Sequence, residues 1–501
     1  MNDVVIIGGG LGGLFTGALL SKNGYRVTVL EKNRIIGGGL QCFKRNGVEF
    51  ETGMHILGGF QEGGSVGKIC HYLGIFDKLS IIHTDPAVMD MITSLPSERV
   101  YNIPQGRDRF IEYFSALFPN EASGIKNYVN DIYTLADEVD LFYLREQSGS
   151  IFSHSEKFLM PADELIASHI YDDELRDILA YMAPMYAGIK GHTPAYIHAL
   201  INVLYIDGAS MFIGGSMQLA ELLAGVIEDG GGDVLSGCKV EKILVEEKAV
   251  KGVVTENGRI FAGADWYISA IHPALMVDMI DGKAFTKSYR TRLKELPNGY
   301  STFTVYVKFK ERSFPFINHP SYLKDDDSSM WNLQQFDDAW PRGFMYITSP
   351  VKNQGAYADK MTINCVMDFS VVERWKDTFT GRRGADYEEF KEMCKERVLA
   401  KMERLYPSFR NTIEFCFTSS PLTVRDYYGS VNGALYGYLK DCKNIAASQI
   451  PIYTKVSNLL LTGQNNNLHG ICGVPLTAID TAEVIVGKNK IVKAINESAM
   501  R

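Results

Sequence analysis

The sequence predicts an α/β fold that combines a parallel sheet in one region with an antiparallel sheet in another. The chain opens with a buried strand, a glycine-rich turn and a helix, and segments of similar character return at residues 208–270 and 458–487. Between about 286 and 449, apolar and polar residues alternate with the period of antiparallel strands. With 46% apolar and 22% charged residues over 501 positions, the chain has the composition of a globular protein with a large core.

The first element is a strand at Val4–Ile7, followed by glycines with the G-x-G-x-x-G spacing at Gly8, Gly10 and Gly13. The first glycine permits a tight turn, the second lets the backbone approach a pyrophosphate, and the third lets the helix pack close to the strand. A helix that continues through Phe15–Lys22 would hold the phosphates with its free N–H groups and positive dipole end.

A second strand at Tyr25–Leu30 ends on Glu31, at the distance from the glycines where a ribose-binding acid is expected. A carboxylate there accepts hydrogen bonds from both ribose hydroxyls and disfavours a 2′-phosphate. Strand, spacing and acid together predict a Rossmann-like domain that binds an adenine dinucleotide.

A second glycine cluster, which includes Gly38 and Gly39, follows Glu31 and Lys32 almost at once. Backbone without side chains at this point suits a cofactor that extends beyond the first phosphates, which indicates FAD. A glycine-rich surface loop is the alternative. Asn46-Gly47 then predicts a hairpin turn.

Residues 43–55, Phe-Lys-Arg-Asn-Gly-Val-Glu-Phe-Glu-Thr-Gly-Met-His, resemble the retinol saturase, carotenoid isomerase and phytoene desaturase family of flavoproteins, and the saturase branch most closely. Cys42 departs from the Ser or Thr of many relatives. With the anchors at 208–270 and 458–487, the resemblance covers nearly the whole chain. It implies an FAD-binding domain of the glutathione-reductase-like, amine-oxidase and carotenoid-desaturase type, joined to a discontinuous α+β substrate domain.

The expected domain boundaries follow from these anchors. The FAD-binding domain comprises residues 1–75, 205–285 and 450–501, and the substrate domain comprises residues 76–204 and 286–449. In the first substrate segment, Phe110, Phe114 and Leu117 share one helical face, and residues 125–136 continue as an amphipathic helix. In the second, Phe303 to Phe309 alternates with a period of two, which predicts a strand with one buried face.

The middle anchor predicts a helix from Gln218 to Ile227, a strand at Val240–Val245, a hairpin turn at Asn257-Gly258 and a return to the central sheet at Tyr267–Ala270. The resemblance implies that the backbone of Val240 contacts the adenine.

The C-terminal anchor predicts a buried strand that delivers Gly463 and Asn465 to the cofactor, followed by a helix from Gly470 to about Val486 with Pro475 in its first turn. The resemblance places Gly473 and Val474 at the cofactor, where the helix dipole would stabilise negative charge on the reduced flavin. Relatives usually have Asp in place of Asn465. An amide can still bond ribityl hydroxyls, but it removes one charge.

The resemblance implies saturation, desaturation or isomerisation of carbon–carbon double bonds in a hydrophobic, isoprenoid or polyene-like substrate, in the EC 1.3 class. His55 is the candidate proton donor, and hydrogen bonding to backbone or cofactor is the alternative role. Arg425 and Tyr428 are weaker candidates, which structural roles explain equally well. NAD(P)H remains open as an external electron donor.

Two other functions stay open at this point. An amine-oxidase-like flavoenzyme would need an aromatic cage. A prenyl-protein-binding module of the GDP-dissociation-inhibitor type shares the architecture without catalysis, but its nucleotide site is degenerate, whereas Gly8, Gly10, Gly13 and Glu31 are intact here.

The composition also bounds partners and location. The net charge of −8 and the lack of a basic run argue against nucleic-acid binding. The eight scattered cysteines contain no C-x-x-C pair, so we expect no metal site and a reducing cytoplasm. Aromatic-rich stretches at 141–144, 151–152 and 158–160 leave peripheral membrane contact open, although helix packing also explains them. The oligomeric state is open.

Overall fold

The computed structural model describes residues 3–53, 55–147, 154–282 and 284–499. Within these ranges the strands are β1 Asp3–Ile7, β2 Arg26–Leu30, β3 Cys42–Arg45, β4 Val48–Glu51, β5 Leu57–Gly58, β6 Ile81–His83, β7 Asp90–Leu95, β8 Val100–Ile103, β9 Ala209–Phe212, β10 Asp233–Leu235, β11 Val240–Glu246, β12 Ala249–Thr255, β13 Ile260–Ala262, β14 Trp266–Ser269, β15 Ser301–Phe309, β16 Ser321–Asp325, β17 Gly343–Thr348, β18 Lys360–Met367, β19 Ile413–Ser419 and β20 Leu459–Leu461.

The α-helices in the same ranges are α1 Leu11–Lys22, α2 Ser65–Leu73, α3 Arg107–Leu117, α4 Ala122–Asp137, α5 Ala162–Ala167, α6 Asp173–Leu179, α7 Ala195–Ile206, α8 Met217–Asp229, α9 Pro273–Met276, α10 Lys287–Glu295, α11 Ala385–Leu405, α12 Phe409–Thr412, α13 Pro421–Tyr428, α14 Ile445–Ser448, α15 Gly470–Val486 and α16 Lys490–Ser498.

A five-stranded parallel sheet with the order β10-β2-β1-β14-β20 forms the centre of the region that is predicted to bind the dinucleotide. Its register pairs Ile7 with both Leu30 and Ser269, and Ser269 with Leu461. The carboxyl ends of four strands therefore meet at one edge, where open α/β sheets bind their ligands. Helix α1 packs against α8 and α15 on this sheet. The predicted return of residues 267–270 to the central sheet is confirmed.

A seven-stranded sheet with the order β19-β15-β18-β17-β16-β7-β8 forms the second region. Its pairs are antiparallel except for the parallel pair of β16 and β7. The prediction that β15 has only one buried face is wrong, because Thr304 and Tyr306 on the opposite face are 1% and 3% exposed. Tyr306 packs edge-on against Phe43, with ring centroids 5.4 Å apart, so the β3–β4 hairpin covers this face.

The helices of the first substrate segment mostly follow their predicted patterns. Phe110 and Phe114 of α3 are buried. The apolar face of the predicted amphipathic helix, now α4, is buried as well and comprises Ile125, Tyr128, Val129, Ile132, Leu135 and Ala136. Leu117 is an exception at 48% exposed, because α3 ends at this residue. Leu141, Phe142, Leu144 and Phe158 are buried in the core, which favours helix packing over membrane contact. Ile151 and Phe152 lie outside the described residues, as does Met54.

The five strands of the parallel sheet come from the segments expected to bind the dinucleotide, and the seven-stranded sheet comes from the other two segments. A small sheet of β5, β9 and β6 joins strands from both sets. The domain boundaries themselves stay a prediction. Among the described residues, no single helix has the length and apolar character to cross a membrane; α15 and α16 would meet those criteria only together, across a bend of 119°.

Candidate functional site

One continuous cavity of about 850 Å³ joins the carboxyl edge of the parallel sheet to the seven-stranded sheet. Its first end, the nucleotide end, is lined by Gly8, Gly10, Glu31, Lys32 and Val240. Its second end, the apolar end, is lined by Met185, Ile201, Leu204, Tyr322, Leu333, Phe344 and Met345. The size falls in the range of small-molecule and cofactor sites.

Three glycine-rich segments that are far apart in sequence meet along this cavity. The Gly37 N–H donates to the Gly9 carbonyl at 2.7 Å. A Cβ at Gly12 would lie 2.8 Å from the Cα of Gly463, so only glycine permits this approach of the two backbones. The residues on either side, including Gly38, Gly39 and Gly463, line the cavity. The structure thus brings residues 8–13, residues 37–39 and Gly463, all predicted to lie at the cofactor, into one slot.

Glu31 is the charged centre of the nucleotide end. Its side chain is buried, Oε2 accepts the Gly9 N–H at 2.8 Å, and Oε1 accepts the Asn33 N–H at 2.8 Å. The two amides fix the carboxylate and leave lone pairs that can accept hydrogen bonds from a ligand. Beside it, Lys32 donates from Nζ to the Asp426 carbonyl at 3.1 Å, and burial lowers the pKa of Lys32.

Two predicted cofactor residues, Gly13 and Gly473, are not part of the cavity lining formed by the described chain. A Cβ at Gly13 would lie 1.9 Å from the Gly8 carbonyl oxygen, and one at Gly473 would lie 2.6 Å from the Leu468 Cβ. Both glycines shape the slot by allowing close packing behind it. For Gly13, this is the helix-packing role expected from the motif.

Asn465 is buried and lines the cavity. Its Oδ1 accepts the Tyr438 N–H at 3.1 Å. Because the backbone amide can only donate, the oxygen must face Tyr438, and the NH₂ group of Asn465 takes the other position. An Asp could accept the same bond, but it would then offer a second acceptor where Asn offers a donor.

Helix α15 begins at the cavity, where Gly470, Ile471, Cys472 and Val474 form part of the wall. The first turn of an α-helix leaves N–H groups without intrahelical partners, and these groups favour a negatively charged or carbonyl ligand. Burial raises the pKa of Cys472 to about 11, so its thiol stays protonated. The expectation that Pro475 lies in the first turn is wrong, because the helix begins at Gly470 and Pro475 is in the second turn.

His55 lines the cavity and is 8% exposed. Its Nδ1 has no hydrogen-bond partner among the described residues and lies 3.6 Å from Oε2 of the buried Glu51. This distance is just beyond hydrogen-bond range, so a small rotation of either side chain completes the contact.

Tyr428 and Arg425, the two weaker candidates, differ in their position relative to the cavity. Tyr428 lines the cavity and packs on Gly53, where an added Cβ would lie 1.9 Å from its hydroxyl oxygen. Arg425 is not part of the lining; it donates to the Lys376 carbonyl at 2.7 Å and pairs with Asp426. Arg425 therefore has a structural role in the described chain.

The sequence analysis did not identify the apolar end. Tyr205 and Leu204 belong to α7, a helix that is buried almost all round, and nothing in its pattern distinguishes a cavity-facing side chain from a core one. His469 and Tyr436 also lie at this end, with rings 5.1 Å apart. A lone histidine such as His469 carries no local signal of such a position.

Comparison with known proteins agrees with this architecture. Residues 6–73 match the NAD(P)-binding Rossmann-like domain family. All-trans-retinol 13,14-reductase of Rattus norvegicus is 26% identical, covering 97% of this chain and 86% of the relative. Prolycopene isomerase 2 of an Oncidium hybrid cultivar is 24% identical, covering 87% of this chain and 75% of the relative.

Among solved structures, cyclohexylamine oxidase from Brevibacterium oxydans superimposes with a TM-score of 0.60 at 16% identity, over 100% of both chains. This likeness concerns the fold alone. The predicted α/β class with a Rossmann-like domain is confirmed, and so is the resemblance to the retinol saturase and carotenoid isomerase group. The binding roles of the individual site residues stay predictions.

Proposed function

Because the chain is related over 97% of its length to a retinol reductase, we propose that it is an FAD-dependent oxidoreductase acting on carbon–carbon double bonds of a hydrophobic, polyene-like substrate. The observation that carries this proposal is the continuity of the cavity. One space connects a glycine-built nucleotide end to an end lined by Met185, Leu204, Leu333 and Met345. A long cofactor and an apolar chain can therefore lie end to end in it.

The residues present fit FAD. Glu31 offers carboxylate oxygens for the ribose diol, and the contact of Gly12 with Gly463 forms a backbone cradle that any Cβ would fill. The first turn of α15 supplies N–H groups at the middle of the cavity. When bound there, a flavin supplies hydride transfer at N5.

His55 is our candidate for the proton that accompanies the hydride. Saturation of a double bond adds one hydride and one proton, and desaturation removes both. The His55 imidazole lies in the cavity wall with Nδ1 unpaired and Glu51 behind it, so the pair can hold and return a proton. The buried surroundings exclude bulk water from this exchange.

Two alternatives make different demands on the same cavity. An amine oxidase needs paired aromatic rings at the substrate, whereas here the ring next to Tyr436 is His469, tilted by 56°. A prenyl-binding module would not need the buried, amide-bonded carboxylate of Glu31. We also propose a cytoplasmic location, with peripheral membrane contact as the alternative that the burial of Leu141, Phe142 and Phe158 disfavours.

The experiment is an anaerobic reoxidation assay on the purified protein, after its visible spectrum has shown a flavin and mass spectrometry has identified the released cofactor. We expect FAD, and reoxidation of the dithionite-reduced protein by all-trans-retinol or a carotenoid. Reoxidation by imines with polyenes inert would favour the amine oxidase. A colourless protein that takes up no added FAD would favour the binding module.

A further inference from the structure

His469 is a buried histidine whose ring makes no hydrogen bond in the described chain. It is 4% exposed, immediately precedes α15, and has no partner for either Nδ1 or Nε2. His198 shows the usual state of a core histidine: Nε2 pairs with the Tyr128 hydroxyl at 2.7 Å, and Nδ1 pairs with the Tyr186 hydroxyl at 2.8 Å. An unpaired buried polar group is costly unless a ligand completes it.

The surroundings of His469 place it at the apolar end. It lines the main cavity together with Ile201, Leu204 and Cys472. Its other side borders a pocket of about 20 Å³ between α7 and α15, whose walls include Leu200 and Leu476. No described side chain of either wall hydrogen-bonds the ring, so a ligand can supply the group that pairs with the imidazole.

The charge state of His469 limits what that group can be. Burial, with a smaller contribution from the positive charge of Lys440, lowers the pKa of His469 to about 3. The ring is therefore neutral near pH 7, with one nitrogen that donates and one that accepts. A hydroxyl can match either nitrogen, since it both donates and accepts.

We propose that His469 is the hydrogen-bonding anchor for a hydroxyl group on a substrate that is otherwise apolar. The inference rests on the proposed function for the nature of the apolar chain, but the anchor itself depends only on the position of the ring. His469 would act as a positioning residue that sets how far the chain enters the cavity. The cofactor is the competing partner for the ring, and the test separates the two.

The test measures binding of paired probes to the FAD-loaded, oxidised protein by quenching of its intrinsic fluorescence. One pair is all-trans-retinol and the same polyene with a methyl group in place of its CH₂OH. The second pair is 1-decanol and decane. Within each pair, the dissociation constants are first corrected for the difference in water-to-hexane transfer free energy. After this correction, we expect the wild type to bind the alcohol about tenfold more tightly than the hydrocarbon, which corresponds to one net hydrogen bond.

His469→Phe should abolish the preference, and His469→Gln, which keeps a donor and an acceptor, should retain part of it. If His469→Phe fails to fold, His469→Leu takes its place and should likewise abolish the preference. His71→Phe is the matched control, since His71 is exposed on α2, and it should leave the preference unchanged.

Two results would overturn the anchor. In the first, His469→Phe and His469→Leu keep the full preference for the alcohols. In the second, these variants change the FAD affinity and the flavin spectrum while the preference persists. A wild type that distinguishes decanol from decane through His469 but binds neither polyene would leave the anchor standing and remove the proposed substrate class. A wild type with no preference for any alcohol would overturn the anchor whatever the polyenes do.

Discussion

The two ends of the cavity differ in the atoms that form their walls, which are mainly backbone atoms at one end and side-chain atoms at the other. At the nucleotide end, the backbone forms most of the site. Glycines allow segments to approach within contact distance, and backbone amides orient the Glu31 carboxylate. At the apolar end, side chains from α7, β16 and β17 form the wall. A site formed by backbone tolerates no added Cβ at its closest approaches, such as Gly12 to Gly463, whereas a site formed by side chains can change its ligand through single substitutions.

The largest expected effect tests the backbone-built end. Gly12→Ala would place a Cβ 2.8 Å from the Gly463 Cα, and neither backbone can move without opening the slot. We expect FAD binding to be lost, as measured by flavin absorbance after reconstitution. Gly225→Ala is the control, because nothing lies within 4 Å of an added Cβ there.

In α8, Gly225→Ala should leave binding intact and raise the free energy of unfolding by about 0.5–1 kcal/mol through better helix propensity. Equal FAD affinity in the two alanine variants would show that the slot does not depend on the Gly12–Gly463 approach.

The next effect tests the junction between the ends. His55→Gln should slow reoxidation of the reduced protein by a polyene about 100-fold or more, because a positioned proton donor contributes at least that much. FAD affinity should stay at the wild-type value, with His71→Gln as the exposed control. A variant that loses FAD instead would make His55 a cofactor ligand, and an unchanged rate would remove its proton role.

Glu31→Gln tests the role of the carboxylate at the nucleotide end. One of the two amides that the carboxylate now accepts would face an NH₂ group, and the ribose would lose an acceptor. We expect FAD to bind about 30-fold more weakly in a fluorescence titration, equivalent to about 2 kcal/mol. Glu228→Gln on the exposed end of α8 should have no effect. Undiminished affinity in Glu31→Gln would contradict the ribose role.

Lys440 reports on burial near the apolar end. Burial lowers its pKa from 10.5 to about 7, so the unfolded chain binds a proton that the folded chain lacks between these values. Wild-type stability should therefore rise with pH in this window relative to Lys440→Met, by about 1 kcal/mol per pH unit. Below pH 7 the difference between the two proteins should level off.

Urea unfolding of both proteins across this pH range measures the difference. A constant gap between them would mean that Lys440 keeps its charge in the fold, held by the carbonyls of Ser448 and Asn466 that its Nζ bonds.

The smallest expected effect concerns Asn465. Asn465→Asp keeps the acceptor for the Tyr438 N–H and adds a negative charge beside the cofactor position. The flavin midpoint potential should become more negative, by about 20 mV for each kcal/mol of repulsion with the two-electron reduced form. A dye-coupled redox titration measures it. An unchanged potential would show that the amide does not tune the flavin.

The same contrast between the ends explains what the sequence could predict. The nucleotide end was predictable because its geometry requires glycine at fixed spacing; Gly8, for instance, has φ of +105°. Glu31 followed from its distance to the first such turn, and α15 followed from the glycine-containing segment, residues 470–475, that opens it. The start of α15 at Gly470 was predicted correctly, and Pro475, five residues further on, therefore belongs to the second turn and not to the first.

The apolar end gave no such signal. Tyr322 and Met345 lie on neighbouring strands of the seven-stranded sheet and reach the cavity only through tertiary packing. The burial of both faces of β15 has the same cause, since the hairpin that covers Thr304 and Tyr306 comes from another part of the chain. The alternation of apolar and polar residues in β15 indicates one buried face, and it contains no signal for a hairpin that covers the other face.

The most direct test of the account is whether an apolar chain in the cavity touches the flavin. We would titrate the FAD-loaded protein with all-trans-retinol and record the visible bands of the flavin alongside the retinol fluorescence that reports binding. The account predicts a saturable change in the flavin bands with the same midpoint as retinol binding, since both ends belong to one cavity. Saturable retinol binding with an unchanged flavin spectrum would place the polyene elsewhere and contradict it.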